Sequence, residues 1–154
     1  MPLFLAQHGR ALPEEVDPER GLSEEGAAEV RRMAKVAGAA RLGVLSIQHS
    51  GKKRARQTAE LFAEELHPVN GVHARRGLNP GDDVAAVAST LTSAENLMLV
   101  GHLPFMARLV SLLVAGDAER PVIQIQNAGI VCLDRDVETR DWIIQWALVP
   151  RLSY

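Results

Sequence analysis

The chain has 154 residues, enough for one domain with a single sizeable core, and 47% of them are hydrophobic, as in an ordinary globular protein. Seventeen Lys and Arg against 19 Asp and Glu give a formal net charge of -2, which argues against nucleic acid or an anionic membrane as the main partner. One cysteine excludes an internal disulfide, and the absence of both a leader-like N-terminus and an apolar run of the ~20 residues that span a bilayer predicts a cytoplasmic location.

Apolar strand candidates and helix candidates alternate along the chain. Leu3 to Ala6 reads as a buried first strand ending at Gln7-His8-Gly9. Pro13 and Pro18 argue against regular structure between Arg10 and Gly21. Ser23 is placed to cap a helix carrying Ala27, Val30, Met33, Ala34 and Ala37, with Gly38 available to end it. Val44 to Ile47 predicts a second strand, running into His49-Ser50-Gly51 and then a helix marked by Ala55, Thr58, Ala59, Phe62 and Leu66, stopped before Pro68. Asn70 to Pro80 lacks periodicity and reads mostly as loop, so His67 and His73 are expected to be exposed. Asp82 or Asp83 can cap a short helix with Val84, Val87 and Leu91. Leu97 to Val100 predicts a third strand entering Gly101-His102-Leu103-Pro104, followed by a helix through Phe105, Leu109, Val110 and Leu113.

The end of the chain changes character. Val122 to Ile125, Gly129 to Leu133 and Trp142 to Leu148 read as strands, the last two joined by a polar connection that suits a hairpin. Cys132 lies in the middle of these apolar segments and reads as a small buried hydrophobe rather than a reactive thiol. Strand-helix units closed by a hairpin predict an α/β layer fold, with a mainly parallel sheet and an antiparallel edge, over residues 1–154.

Three polar clusters follow apolar strands and precede helices: Gln7-His8-Gly9-Arg10, His49-Ser50-Gly51-Lys52-Lys53-Arg54 and Gly101-His102. Ligands of open α/β sheets bind at the carboxyl ends of strands, where helix N-termini favour anions. Histidines and cations therefore converge on one rim suited to a phosphate. A three-histidine metal site from His8, His49 and His102 is the competing reading, but the basic neighbours oppose a bound cation.

The motifs carry a resemblance. His8-Gly9 after an N-terminal strand is similar to the "RHG" signature of the histidine phosphatase superfamily. Ser50 to Thr58 resembles that family's second block, whose arginine matches Arg54, and Gly101 to Pro104 resembles the block with the second active-site histidine. Leu22 to Gly26 and Gly77 to Val84 are similar to the short, SixA-type branch. The resemblance implies a phosphoglycerate mutase-like three-layer sandwich and a phosphohistidine phosphatase that needs neither metal nor other cofactor. His8 would be the nucleophile that accepts the phosphoryl group, with Arg54 holding its oxygens and a cationic His102 stabilising their growing charge. Gln7, Gly9, His49, Ser50 and Arg54 would form the phosphate site, with Gly9 allowing close backbone approach and an unusual turn. The expected partner is a phosphohistidine-bearing protein, such as a histidine phosphotransfer domain, with inorganic phosphate as product.

One position departs from that pattern, and one role is left without a residue. The motif arginine is Gln7 here, which removes a charge-assisted contact, although Lys52 or His49 can restore positive field. Gln7 thus leaves open a non-catalytic phosphate or phosphoprotein-binding module, beside the alternative of a phosphatase for small phosphomonoesters. No carboxylate is identified as proton donor, and Asp82 and Asp83 are equally explained as helix caps.

Overall fold

Residues 1–91 and 96–152 are described in a computed structural model of the chain. The elements are β1 (Leu3–Gln7), α1 (Glu24–Ala39), β2 (Ser46–His49), α2 (Lys53–Leu66), β3 (Val72–Ala74), α3 (Val84–Ala88), β4 (Leu97–Gly101), α4 (Phe105–Ala115), β5 (Ile130–Arg135) and β6 (Trp142–Leu148). The strands form one sheet in the order β3-β2-β4-β1-β5-β6. β3, β2, β4 and β1 run parallel; β5 is antiparallel to β1, and β6 is antiparallel to β5. The parallel sheet with an antiparallel hairpin edge is the architecture the sequence predicts.

Alternation along the buried strands splits the interior into two layers. Leu3 and Leu5 of β1, Leu97 and Leu99 of β4, and Val131 and Leu133 of β5 pack with Phe105, Met106 and Leu109 of α4 and with Val84 and Val87 of α3. Phe4 and Ala6, Met98 and Val100, and Ile130 and Cys132 face the other way, onto Val30, Met33 and Ala34 of α1 and Ala55, Ala59 and Phe62 of α2. Cys132 is buried, and burial pushes its thiol up to about 11, which makes it an inert core residue.

Several local expectations shift. Ser23 caps α1, its hydroxyl accepting from Gly26 N at 2.9 Å, but the helix runs through Gly38 to Ala39. A Cβ on Gly38 would stand 3.3 Å from Glu65 Cβ, so this glycine serves close approach of α1 to α2 instead of termination. The second strand begins at Ser46, not Val44. The segment read as loop contains β3, only three residues long, which pairs its Val72 with Ile47. Val122 to Ile125 is not a strand: its apolar residues Ile123 and Ile125 pack onto the α4-side core without pairing to the sheet. His67 is the left-handed C-cap of α2 and His73 lies in β3; both are exposed, as expected.

Strand register positions the rim. Gln7 is opposite Gly101, and His49 is opposite Val100, so β1, β4 and β2 end nearly level. The residues that leave these ends, His8, His102 and Ser50, therefore emerge side by side on one rim. Among the described residues no helix is long and apolar enough to cross a membrane.

Candidate active site

His8 leaves β1 with its backbone held from two sides. Its N–H donates to Gly101 O at 3.0 Å, and its carbonyl accepts from Asn127 Nδ2 at 3.0 Å. Its ring lies 4.9 Å from the ring of His102, centroid to centroid, with the planes inclined by 53°. His8 Nδ1 is 2.6 Å from Gly9 O. A carbonyl can only accept, so the neutral imidazole carries its proton on Nδ1 and leaves the Nε2 lone pair free.

Burial lowers the His8 pKa to about 4, with the charges of Arg54 and Arg20 pushing the same way against the Gly9 hydrogen bond. His102 is buried and lowered further, to about 3, by its burial and then by His8, Arg54 and Lys52. Both rings are therefore neutral in the free site near neutral pH. Without an anion beside it, the cationic form of His102 is opposed by desolvation and by three neighbours, so the cationic His102 expected in the working state would have to form with the phosphoryl group in place. His102 Nε2 lies 2.6 Å from Ser50 Oγ, while its Nδ1 is buried with no partner. Ser50 Oγ also accepts from Lys52 N at 3.3 Å.

Arg54 sits in the first turn of α2, a helix that begins Lys53-Arg54 and has no acidic residue in that turn. Cations at the positive end of a helix dipole are unfavourable alone, and an anion relieves them. Burial and then Arg20 lower the Arg54 pKa, yet a guanidinium stays charged. Lys53 is committed elsewhere, to Asp17 at 3.0 Å and Glu19 at 3.7 Å. Arg20, Lys52, Arg54 and Arg56 line a groove of ≈ 560 Å³.

The remaining expected residues separate. Gly9 N donates to Thr58 Oγ1 at 3.0 Å, and that hydroxyl donates to Arg54 O at 2.8 Å, so Thr58 ties the His8 turn to the Arg54 turn. A Cβ on Gly9 would come within 2.6 Å of Val30 Cγ2 and 3.1 Å of Gly26 O. Glycine is thus required here by the packing of α1, and not by a left-handed turn. His49 does not join the histidine pair: its Nδ1 accepts from Gly51 N at 3.0 Å, and its pKa is lowered by burial, with Glu60, Arg56 and His73 as its charged neighbours. Among the described residues, no group of three or more His, Cys, Asp and Glu is arranged to hold a metal ion. Gln7 is buried, its Oε1 has no partner, and it lines a cavity with Leu103 and Asn127. Asp82 accepts from Asn79 N, and Asp83 caps α3 through Ala85 N, so both carboxylates shape their loop.

Arg20 and Asn127 escape sequence reasoning. Arg20 lies in an irregular stretch, in left-handed backbone conformation with Nε donating to Leu12 O at 3.2 Å. Asn127 sits 119 residues from His8. Nothing in periodicity marks either; Thr58 alone left a trace, as a hydroxyl on the buried stripe of a helix.

No protein-family model and no curated protein matches the chain. Solved structures do. The protein histidine phosphatase SixA complexed with tungstate is 26% identical, with TM-score 0.84 and 97% of each chain covered. A protein of Agrobacterium tumefaciens described as a phosphohistidine phosphatase SixA is 24% identical, with TM-score 0.76 and 97% of each chain covered. A mycobacterial glucosyl-3-phosphoglycerate phosphatase complexed with VO3 is 20% identical, with TM-score 0.73, covering 94% of this chain and 97% of its own. The chain has the histidine phosphatase fold, and its structural neighbours are SixA phosphohistidine phosphatases and related phosphatases.

Proposed function

We propose that this protein is a phosphatase that moves the phosphoryl group of a phosphohistidine in a partner protein onto His8 Nε2 and then to water. The observation that carries the reading is the 2.6 Å contact of His8 Nδ1 with Gly9 O, which leaves Nε2 unprotonated in the field of Arg54 and Arg20 and beside a second neutral imidazole. In the first step the His8 Nε2–P bond forms as the substrate P–N bond breaks, its electron pair passing to the departing imidazole. That ring can arrive already protonated, so no carboxylic acid is needed, in keeping with the structural duties of Asp82 and Asp83. In the second step water attacks phosphorus, Nε2 recovers its lone pair, and phosphate leaves with the water's proton given to solvent.

The cations do the electrostatic part. Arg54 offers its planar fork to the phosphoryl oxygens, and Arg20 and Lys52, in the same groove, add positive field in place of the charge that Gln7 lacks. Ser50 Oγ holds the His102 ring at Nε2, so the ring stays in place beside His8 when the phosphoryl group arrives. An arriving dianion raises the His102 pKa, so the cationic form that the empty site disfavours becomes accessible once substrate binds. The chemistry asks nothing of a metal, because these groups already carry the positive charge.

The test is phosphate release from a phosphohistidine-bearing protein in the presence of chelator, with the wild type beside His8→Ala. Turnover by the wild type that vanishes in the variant, with acid-labile phosphate trapped on His8, supports the reading. Tight phosphate binding with neither turnover nor labelling would instead indicate a binding protein, which the uncharged Gln7 would then explain.

A further inference from the structure

A second cavity, ≈ 430 Å³, adjoins the reaction centre and takes no part in the phosphoryl steps above. Gln7, Arg10, Leu103, Gln124, Asn127 and Arg151 are among its walls. It shares structure with the site on both sides: Gln7 precedes His8, Leu103 follows His102, and Asn127 Nδ2 holds His8 O at 3.0 Å.

Its polar groups are unfinished. Gln7 is only 8% exposed, yet its Oε1 is buried without a partner. Arg10 Nε is also buried and makes no hydrogen bond, standing 3.7 Å from Glu29 Oε1. A buried polar atom without a partner costs about 1–3 kcal/mol; Arg10 Nε lacks an acceptor, and turning the Gln7 amide over puts its NH2 where Oε1 now lies unpaired, so both positions suit a ligand that offers acceptors. Arg151, by contrast, is hydrogen-bonded to Glu29: its Nε donates to Glu29 Oε2 at 3.1 Å, and Gln126 clasps its backbone N–H and carbonyl. The buried Glu29 carboxylate therefore faces two guanidinium groups, and one positive charge is left over, on the Arg10 side.

We propose that this cavity is a carboxylate subsite, which receives a carboxylate belonging to the same substrate whose phosphoryl group is transferred to His8. The proposal rests on the phosphatase reading and deepens it. A carboxylate matches the single excess charge and the planar donor fork of Arg10, with the reoriented Gln7 amide as a further donor. A second phosphate dianion would leave uncompensated negative charge beside Glu29. Leu103 and the buried Ile125 supply apolar walls that strengthen the contact. Such a carboxylate comes from an Asp or Glu beside the phosphohistidine in a partner protein, or from a small phosphorylated carboxylic acid.

Binding is read first in the His8→Ala chain, so that no ligand is consumed, by titration with phosphoglycolate and with 2-hydroxyethyl phosphate. The expectation is about tenfold tighter binding of phosphoglycolate, the worth of one charge-assisted hydrogen bond. Arg10→Gln should bring that ratio near one, whereas Glu29→Gln, which frees positive charge, should raise it; the opposite signs keep the test valid if one variant folds poorly. The source is then read from wild-type turnover of two phosphohistidine peptides that differ by Glu or Gln beside the phosphorylated residue. A preference for the Glu peptide assigns the carboxylate to a protein partner, and indifference there with a retained phosphoglycolate preference assigns it to a small acid. Equal binding of both small ligands with equal turnover of both peptides overturns the subsite while leaving the phosphatase intact, as does a ratio unmoved by Arg10→Gln in a folded chain. Failure of both small ligands to bind, with no turnover of either peptide, overturns the phosphatase reading and the subsite together.

Discussion

The imidazole of His8 stands 4.9 Å from that of His102, and both rings are held neutral, with pKa values of about 4 and about 3. A nucleophilic imidazole must be unprotonated, and a pair of such rings beside Arg54 cannot both gain charge cheaply. The acid limb of kcat/KM, which reports ionisations of the free protein, should therefore lie near pH 4 and not near the ordinary histidine value of 6.5. Turnover of p-nitrophenyl phosphate as a function of pH checks this; a limb centred at the ordinary value would mean that His8 is not buried as described.

The same shifts set a stability profile. Unfolded, each imidazole takes up a proton as pH falls through 6.5; folded, His8 and His102 do so only near 4 and 3. Between these values the unfolded chain binds more protons, so stability is fully present above the unfolded pKa and is lost as pH falls through that window. The loss attributable to the pair should amount to several kcal/mol across that window, since each shift is larger than two pH units. Denaturant midpoints for the wild type and a His102→Asn variant across the acid range measure it, and parallel profiles would contradict the assignment.

Thr58→Val should be disproportionately costly for a change that conserves shape. It deprives the buried Gly9 N–H of its acceptor and cuts the link from the His8 turn to Arg54 O. A destabilisation of about 1–3 kcal/mol is expected, with Thr58→Ser recovering most of it. Urea denaturation of the three proteins decides the matter.

Ser50→Ala should lower turnover about tenfold, because the His102 ring would lose its hydrogen bond at Nε2 and with it its orientation. Ser50→Thr, which keeps the hydroxyl, should restore activity if the strand end accommodates the extra methyl. The informative quantity is kcat: a change confined to KM would place Ser50 on the substrate rather than on His102.

His49→Ala should leave phosphate affinity unchanged. The ring it removes accepts the Gly51 N–H and has Glu60, Arg56 and His73 as charged neighbours, away from the paired imidazoles. The loss should appear in stability, at about 1 kcal/mol for one turn-capping hydrogen bond. Weakened phosphate binding, measured by titration calorimetry, would return His49 to the anion site.

The sequence by itself determined the sheet and the rim. Apolar runs of strand length, each ending in His8, His49-Ser50 or Gly101-His102, fixed which residues would emerge at strand ends, because alternation and helix spacing are local properties of the chain. It could not settle where those side chains turn. His49 and Ser50 are neighbours in sequence, yet Ser50 reaches His102 while His49 folds back on Gly51, a choice made by contacts with β3 and α2. Gly9 was legible as a required glycine, but the packing of Val30 of α1 against it was not. Arg20, Asn127 and the Arg10–Glu29–Arg151 cluster left no periodic trace, because each acts across a long stretch of chain through geometry that only packing creates. The neutral state of the two histidines was likewise decided by tertiary structure: protonation follows desolvation and nearby charge, and neither exists until the chain has folded.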